Sequence, residues 1–362
     1  MRALVCVVAA AIGFAAHPAG AQDDHAAAKF WKTVQTTCNA TAARPASELG
    51  RRIAQIARDE FNIFDGHRID SNGRLFRFGL TEAEHEEDDG GGLQAVVGHL
   101  GWWRVMKYWR ALYGEDTGNM LEVRGYRDAS TSTSDAQAAT LLRASAAELL
   151  KEADKASDPA VREFLREAAM RAAITDTSWS AAFVSYVVKQ AGATAKAFRF
   201  ANAHRAYIYD AFATSVAETT NAASEGIYRA CPLATKPRVG DLICNQRERK
   251  FADASDAAVR ERVREDLAGD PGARSIWRTH CEVVVYVDAG ARKVYTVGGN
   301  VNQSVTARKM NLRGDLKFSA VQKGHCGGGG AWTLPDASGE APRGKARCSL
   351  NDKKWFVLLQ LR

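Results

Sequence analysis

Thr177-Ser178-Trp179-Ser180-Ala181-Ala182-Phe183-Val184-Ser185-Tyr186-Val187-Val188, stopped by Gly192, is the stretch that decides how the rest of this chain reads. Its apolar positions 183, 184, 187, 188 and 191 recur at helical spacing and form one face for burial. Glycine is the residue that most readily ends a helix. Ser180 projects beside the apolar face at the helix start. A helix start carries unpaired backbone N–H groups and the positive end of the macrodipole, which stabilise a nucleophile or a developing oxyanion. The same place also suits a plain cap, so Ser178 or Ser180 reads equally as a capping residue.

Working upstream, Glu48 to Phe64 sets Leu49, Ile53, Ile56, Phe61 and Phe64 close to helical spacing, which predicts the first helix of the domain. Gly98 to Tyr113 gathers Trp102, Trp103, Met106, Tyr108 and Trp109 at spacings of three and four. Such a helix suits core packing, and an aromatic band of this kind also suits sugar stacking. Ala138 to Ala156 reads as helical, and Asp158-Pro159 opens another helix with an N-cap followed by proline at the first position. Between the first two helices, Asp65-Gly66 and Ser71-Asn72-Gly73 mark turns. The acidic run Glu82 to Asp89, closed by Gly90-Gly91-Gly92, reads as a surface excursion in which His85 is either solvated or a cation ligand.

Downstream of Gly192 the texture changes. Pro232, Pro237 and Gly240 punctuate the approach to short β-type runs at Val239–Cys244, Cys281–Val287 and Lys293–Val297, the last two joined by the hairpin signal Asp288-Ala289-Gly290-Ala291. A polar, helix-prone insert at Asp253–Leu267 separates the first two strands. The glycine- and proline-rich segment from about Gly324 ends in Trp355–Leu361, a final strand or a small appendage. Helices followed by an antiparallel sheet give an α+β fold.

Arg2 followed by the apolar run Ala3–Ala16 and by Ala19-Gly20-Ala21 has the form of a cleavable signal peptide, too short to span a bilayer. The expected organisation is a leader at 1–21, an N-terminal extension at 22–47, one domain with helical insertions at 48–323 and a C-terminal segment at 324–362. The expected address is periplasmic or secreted. No second run approaches the roughly 18 apolar residues of a membrane helix, so no stable membrane insertion is expected.

Net charge is +7, with both signs interspersed and 46% hydrophobic residues to build a core. A basic exported protein is attracted to anionic envelope polymers, and the absence of an aromatic and basic interleave argues against a nucleic-acid reader. Of seven cysteines, Cys6 lies in the leader and Cys38, Cys231, Cys244, Cys281, Cys326 and Cys348 remain, an even set suited to disulfides. Their spacings do not resemble a zinc site, and neither a metal nor a cofactor is expected. Pairing Cys326 with Cys348 would close the loop they flank.

Trp179-Ser180-Ala181-Ala182-Phe183-Val184 resembles the Trp-Cys-Ala-x-Phe-Val motif of CHAP and NlpC-type cell-wall hydrolases, with serine in place of cysteine. Pro237-Arg238-Val239-Gly240-Asp241-Leu242-Ile243 is similar to the Gly-Asp strand of that superfamily. His280-Cys281-Glu282-Val283-Val284-Val285-Tyr286 is similar to its histidine strand, and Gly298-Gly299-Asn300 falls where its third polar residue stands. The motifs keep the family order across roughly Glu48 to Leu312. Together with His204 in Ala201-Asn202-Ala203-His204-Arg205-Ala206-Tyr207, they resemble a bacterial domain-of-unknown-function family, number 2272, placed near CHAP.

The resemblance implies a papain-like core in which Ser180 is the nucleophile, His280 the base and Asn300 the orienter. It also implies that the strands carrying Cys244 and Cys281 are neighbours, which motivates a bridge between them. Trp179, His204 and Asp241 are the expected substrate contacts. His204 also reads as a rival base or a core residue, Asp241 as a turn organiser, Asn300 as a turn residue and His280 as a structural histidine. A serine hydroxyl titrates far above a thiol and must lose its proton to histidine during attack. The expected activity is hydrolysis of amide bonds in cell-wall peptides, with peptidoglycan or another envelope polymer as partner. A non-cleaving peptidoglycan-binding module and an envelope esterase are the alternatives.

Overall fold

The computed structural model describes residues 19–83, 101–126, 141–269, 278–322 and 350–362. The expected leader lies mostly outside them, as do His85 and the Cys326–Cys348 pair. Helix α1 spans Ala19–Ala42 and α2 spans Glu48–Ile63, the latter capped by Ser47, whose side chain accepts from the N–H of Gly50. A short edge pair, β1 (Arg68–Ile69) and β2 (Leu75–Arg77), follows.

The aromatic helix α3 covers Gly101–Tyr113, and α4 is a single turn at Thr117–Met120. Trp102, Met106, Tyr108 and Trp109 are all buried. The Tyr108 hydroxyl donates to Glu60 at 2.7 Å, and Arg104 bonds the same carboxylate. These contacts make α3 a core helix locked onto α2.

Helical propensity fails at Leu141–Ser145. That segment is β4, paired antiparallel with β3 (Glu122–Tyr126), because the hairpin supplies ladder bonds that alanine's preference does not outweigh. Helix α5 (Ala146–Ala153) then starts at Ser145 with a capping box, and α6 (Pro159–Asp176) starts at Asp158, whose carboxylate accepts from Ala160 and Val161. Helix α7 is Ser180–Gln190 and α8 is His204–Thr219. The polar insert forms α9, Asp256–Ala268.

Strands β5 (Tyr228–Cys231), β6 (Leu242–Gln246), β7 (Thr279–Asp288), β8 (Lys293–Val301), β9 (Ser304–Asn311) and β10 (Lys354–Leu361) complete an eight-stranded sheet of order β2-β1-β9-β8-β7-β6-β10-β5. The fold is therefore α+β, but the sheet is mixed rather than wholly antiparallel. The exception is β1, which runs parallel to β9 because the chain leaves α2 directly onto that edge. The C-terminal strand β10 is no appendage: it lies between β6 and β5.

Alternation along the strands builds two cores. Leu242, Cys244, Cys281, Val283 and Val297 belong to the core shared with α2, α3, α7 and α8. Ile243, Val284, Val294, Met310 and Leu358 form the second core, closed by Val34 and Cys38 of α1. Disulfides tie both. Cys244–Cys281 joins directly opposed residues of β6 and β7, and Cys38–Cys231 fastens α1 to β5 across a separation of 193 residues. The two bridges fit an oxidising compartment. Among the described residues no helix is long and apolar enough to cross a membrane.

Candidate active site

Three elements begin at one place. Ser180 opens α7, His204 opens α8, and His280 is the second residue of β7. Helix α7 packs on β7 and β8, and α8 packs on β7, which carries the two helix starts to this end of the sheet.

Ser180 Oγ lies 2.7 Å from His204 Nε2. The other ring nitrogen of His204, Nδ1, is bonded to the Tyr207 hydroxyl, one turn further along α8. Burial holds His204 well below the usual histidine range, and the nearby charges of His280 and Arg247 act in the same direction. It also holds Tyr207 well above the usual phenol range. The imidazole is thus neutral at pH 7, and in the tautomer that carries its proton on Nδ1, Nε2 accepts from Ser180 while Nδ1–H donates to the phenol oxygen. Trp179, at the N-cap, offers no side-chain acceptor, so no side chain caps the start of α7, where Phe183 N–H is bonded to the Trp179 carbonyl at 2.9 Å.

His280 stands beside this pair, its ring centroid 5.0 Å from that of His204 and the planes at 70°. Burial lowers its pKa, a shift that Glu282 partly offsets. Glu282 Oε1 is 3.3 Å from His280 Nε2 and accepts from Arg308 Nε at 2.7 Å, while Oε2 accepts from Thr296 at 2.6 Å. Burial would raise the Glu282 pKa, but Arg308, His280 and Thr296 outweigh it and hold the carboxyl at about 2. Neither His280 nitrogen makes a hydrogen bond of good geometry among the described residues.

Two glycines let the strands close in. A Cβ on Gly298 would lie 2.7 Å from Glu282 Cγ and 3.2 Å from His280 Nε2, and one on Gly299 would lie 2.4 Å from Phe183 Cβ. Only glycine permits both approaches.

The structure brings Ser180, His204 and His280 together. Asn300, in the left-handed region at φ 52° where β8 shifts register, makes no side-chain hydrogen bond to either histidine among the described residues. The carboxylate beside His280 is Glu282 instead. Trp179 is fully buried and stacks on Phe64 at 6.0 Å, so its ring serves the core. Asp241 is also fully buried, accepting from the N–H groups of Arg238 at 2.7 Å and Leu361 at 2.8 Å. It fastens β10 to the turn before β6. Burial pushes its pKa up to about 7, against Arg238 and those two N–H groups.

Sequence reasoning gave no role to Tyr207, Thr296 or Arg308. His204 and Tyr207 sit three apart, a spacing that places both on one helix face, and His280 and Glu282 sit two apart on one strand face. Arg308 has no comparable signal, because it reaches Glu282 from β9, 26 residues further along the chain. Among the described residues no group of three or more His, Cys, Asp or Glu is placed to hold a metal ion.

An α+β domain with a serine–histidine pair at a helix start is the class that fold and site define. The chain belongs to the family described as uncharacterized protein conserved in bacteria, DUF2272, whose model matches residues 97–361. No curated protein and no solved structure matches it.

Proposed function

We propose that this protein is an exported serine-nucleophile acyl hydrolase with a papain-like core, acting on amide bonds of cell-wall peptides. The observation that carries this is the 2.7 Å contact between Ser180 Oγ and His204 Nε2 at the first residue of α7. Ser180 attacks the acyl carbon as its proton passes to His204 Nε2, and first-turn N–H groups of α7 hold the oxyanion. His204 then returns the proton to the leaving amine. Water attacks the acyl-Ser180 ester by the same route, releasing the acid and restoring the hydroxyl. His280, backed by Glu282, flanks the leaving group.

The wall peptide as substrate is supported by the resemblance of the Trp179–Val184, Gly240-Asp241 and His280 motifs to CHAP and NlpC-type hydrolases, and export by the leader-like N-terminus and the two disulfides. Purified peptidoglycan incubated with the protein is expected to gain free amino groups, and to gain none with Ser180→Ala. Equal release by both proteins would remove the hydrolase reading.

A second reading is a module that binds wall peptides without cutting them. It is favoured by the phenol, rather than a carboxylate, behind His204, which leaves a developing imidazolium without a counter-charge. Retention on insoluble peptidoglycan that is unchanged in Ser180→Ala, together with no amine release by either protein, distinguishes it.

A further inference from the structure

The last paired residues of β6 and β10 are Gln246 and Lys354. One step outward on each strand stand Arg247 and Lys353, two cations at the same end of neighbouring strands. Alternation gives Arg247 the strand face of Asn245, which lies opposite His280, and Lys353 the face of Trp355, which pairs with Asn245. Arg247 carries the ladder one step past β6, its N–H donating to the Arg278 carbonyl at 2.7 Å, so both positions flank the strand ends that hold His280 and Glu282.

Like charges placed this way repel, and sequences normally put a carboxylate nearby. Neither side chain makes an ion pair or hydrogen bond among the described residues, and Arg247 is exposed. The carboxylates nearby are committed or turned elsewhere. Glu282 is held by Arg308 and Thr296, and Glu248 accepts from the N–H of Arg278 at 2.7 Å. Asp352 is exposed and makes no ion pair with Lys353. The cations influence each other and the site: burial, Arg308 and Arg247 lower the Lys353 pKa while Glu282 and Asp352 partly offset them, Glu282 also acts on Arg247, and Arg247 acts on His204 and His280. With Arg308 beside them the cations outnumber the carboxylates that face them among the described residues, and such a place beside two imidazoles suits an anion.

We infer that Arg247 and Lys353 form a carboxylate-binding subsite beside Ser180 and His204, so that the preferred acyl compounds are peptides with a free carboxylate next to the reacting bond. That the occupant is a substrate rests on the proposed hydrolase function, whereas binding of a carboxylate does not. Guanidinium and ammonium would each donate charge-assisted hydrogen bonds to one carboxylate, fixing the chain end while the adjacent carbonyl meets Ser180.

The test is equilibrium binding to full-length Ser180→Ala, which holds a ligand without turnover. N-acetyl-dialanine with its free carboxylate is compared with its carboxamide by calorimetry. The acid is expected to bind about tenfold more tightly, with the preference falling as salt rises. Adding Arg247→Gln or Lys353→Gln is expected to remove most of that preference, and Arg247→Lys to keep part of it, with unchanged thermal unfolding. Equal or absent binding of the acid, or a preference that survives both Gln variants, overturns the subsite. Labelling of wild-type Ser180 by a fluorophosphonate reports separately on the nucleophile, so either claim can fail alone.

Discussion

The imidazole of His204 stands edge-on to that of His280, 5.0 Å between centroids, with only His204 bonded to Ser180. The two rings come from different layers, one opening a helix and the other a strand. Replacing His204 by Ala is therefore expected to reduce amine release at least ~100-fold, the usual worth of a positioned base. His280→Ala is expected to cost less than His204→Ala, because only His204 is bonded to the nucleophile. Parallel kinetics of the two variants check this, and a loss from His280→Ala as large as that from His204→Ala would contradict the assignment of His204 as the base.

The pH dependence follows from the direction of the histidine shifts. Burial lowers both His204 and His280 in the folded protein, so each stays neutral below the usual histidine midpoint of about 6.5. The acid limb of the rate profile is expected below pH 6.5. The unfolded chain binds protons first as pH falls through that value, so folding stability is expected to fall on the acid side as well. Rate profiles and denaturant titrations from pH 5 to 8 measure both, and an acid limb centred above 6.5 would contradict the burial argument.

Glu282 is a fully buried carboxylate held by Arg308, Thr296 and His280. Glu282→Gln leaves the Arg308 guanidinium buried without its counter-charge. Breaking such a pair costs about 3–5 kcal/mol. Denaturant unfolding of Glu282→Gln reads this directly, whereas a stability within 1 kcal/mol of wild type would show that the network is not structural.

Non-reducing peptide mapping is expected to recover Cys38–Cys231 and Cys244–Cys281 as linked pairs. Loop-closure entropy favours the longer link: separations of 193 and 37 residues correspond to about 5 and about 4 kcal/mol. The Cys38→Ser/Cys231→Ser variant is expected to lose more stability than Cys244→Ser/Cys281→Ser. The reverse order would mean that α1 contributes little to the fold.

How far the sequence carried depends on the range of the interaction. The face of α7 and the start of α6 are local matters of period and capping, and both were legible. The Cys244–Cys281 bridge followed from a resemblance that implied neighbouring strands. His204 is legible as a substrate contact, a rival base or a core residue, and its bond to Ser180 is not, because that approach depends on how residues 191–203 return the chain from one helix to the next. The placement of β10 between β6 and β5, and the arrival of Arg308 from β9, are long-range pairings with no local signal. Asn300 was read from its position after Gly298-Gly299, yet those glycines serve close packing against Glu282 and Phe183.

The most direct test of the account is covalent labelling of the protein with a fluorophosphonate, followed by peptide mass spectrometry. Ser180 alone should carry the adduct, at a rate that drops sharply in His204→Ala and vanishes in Ser180→Ala. An unlabelled Ser180 in folded protein, or labelling that is indifferent to His204, would mean that the hydroxyl is not activated and that this site does no acyl chemistry.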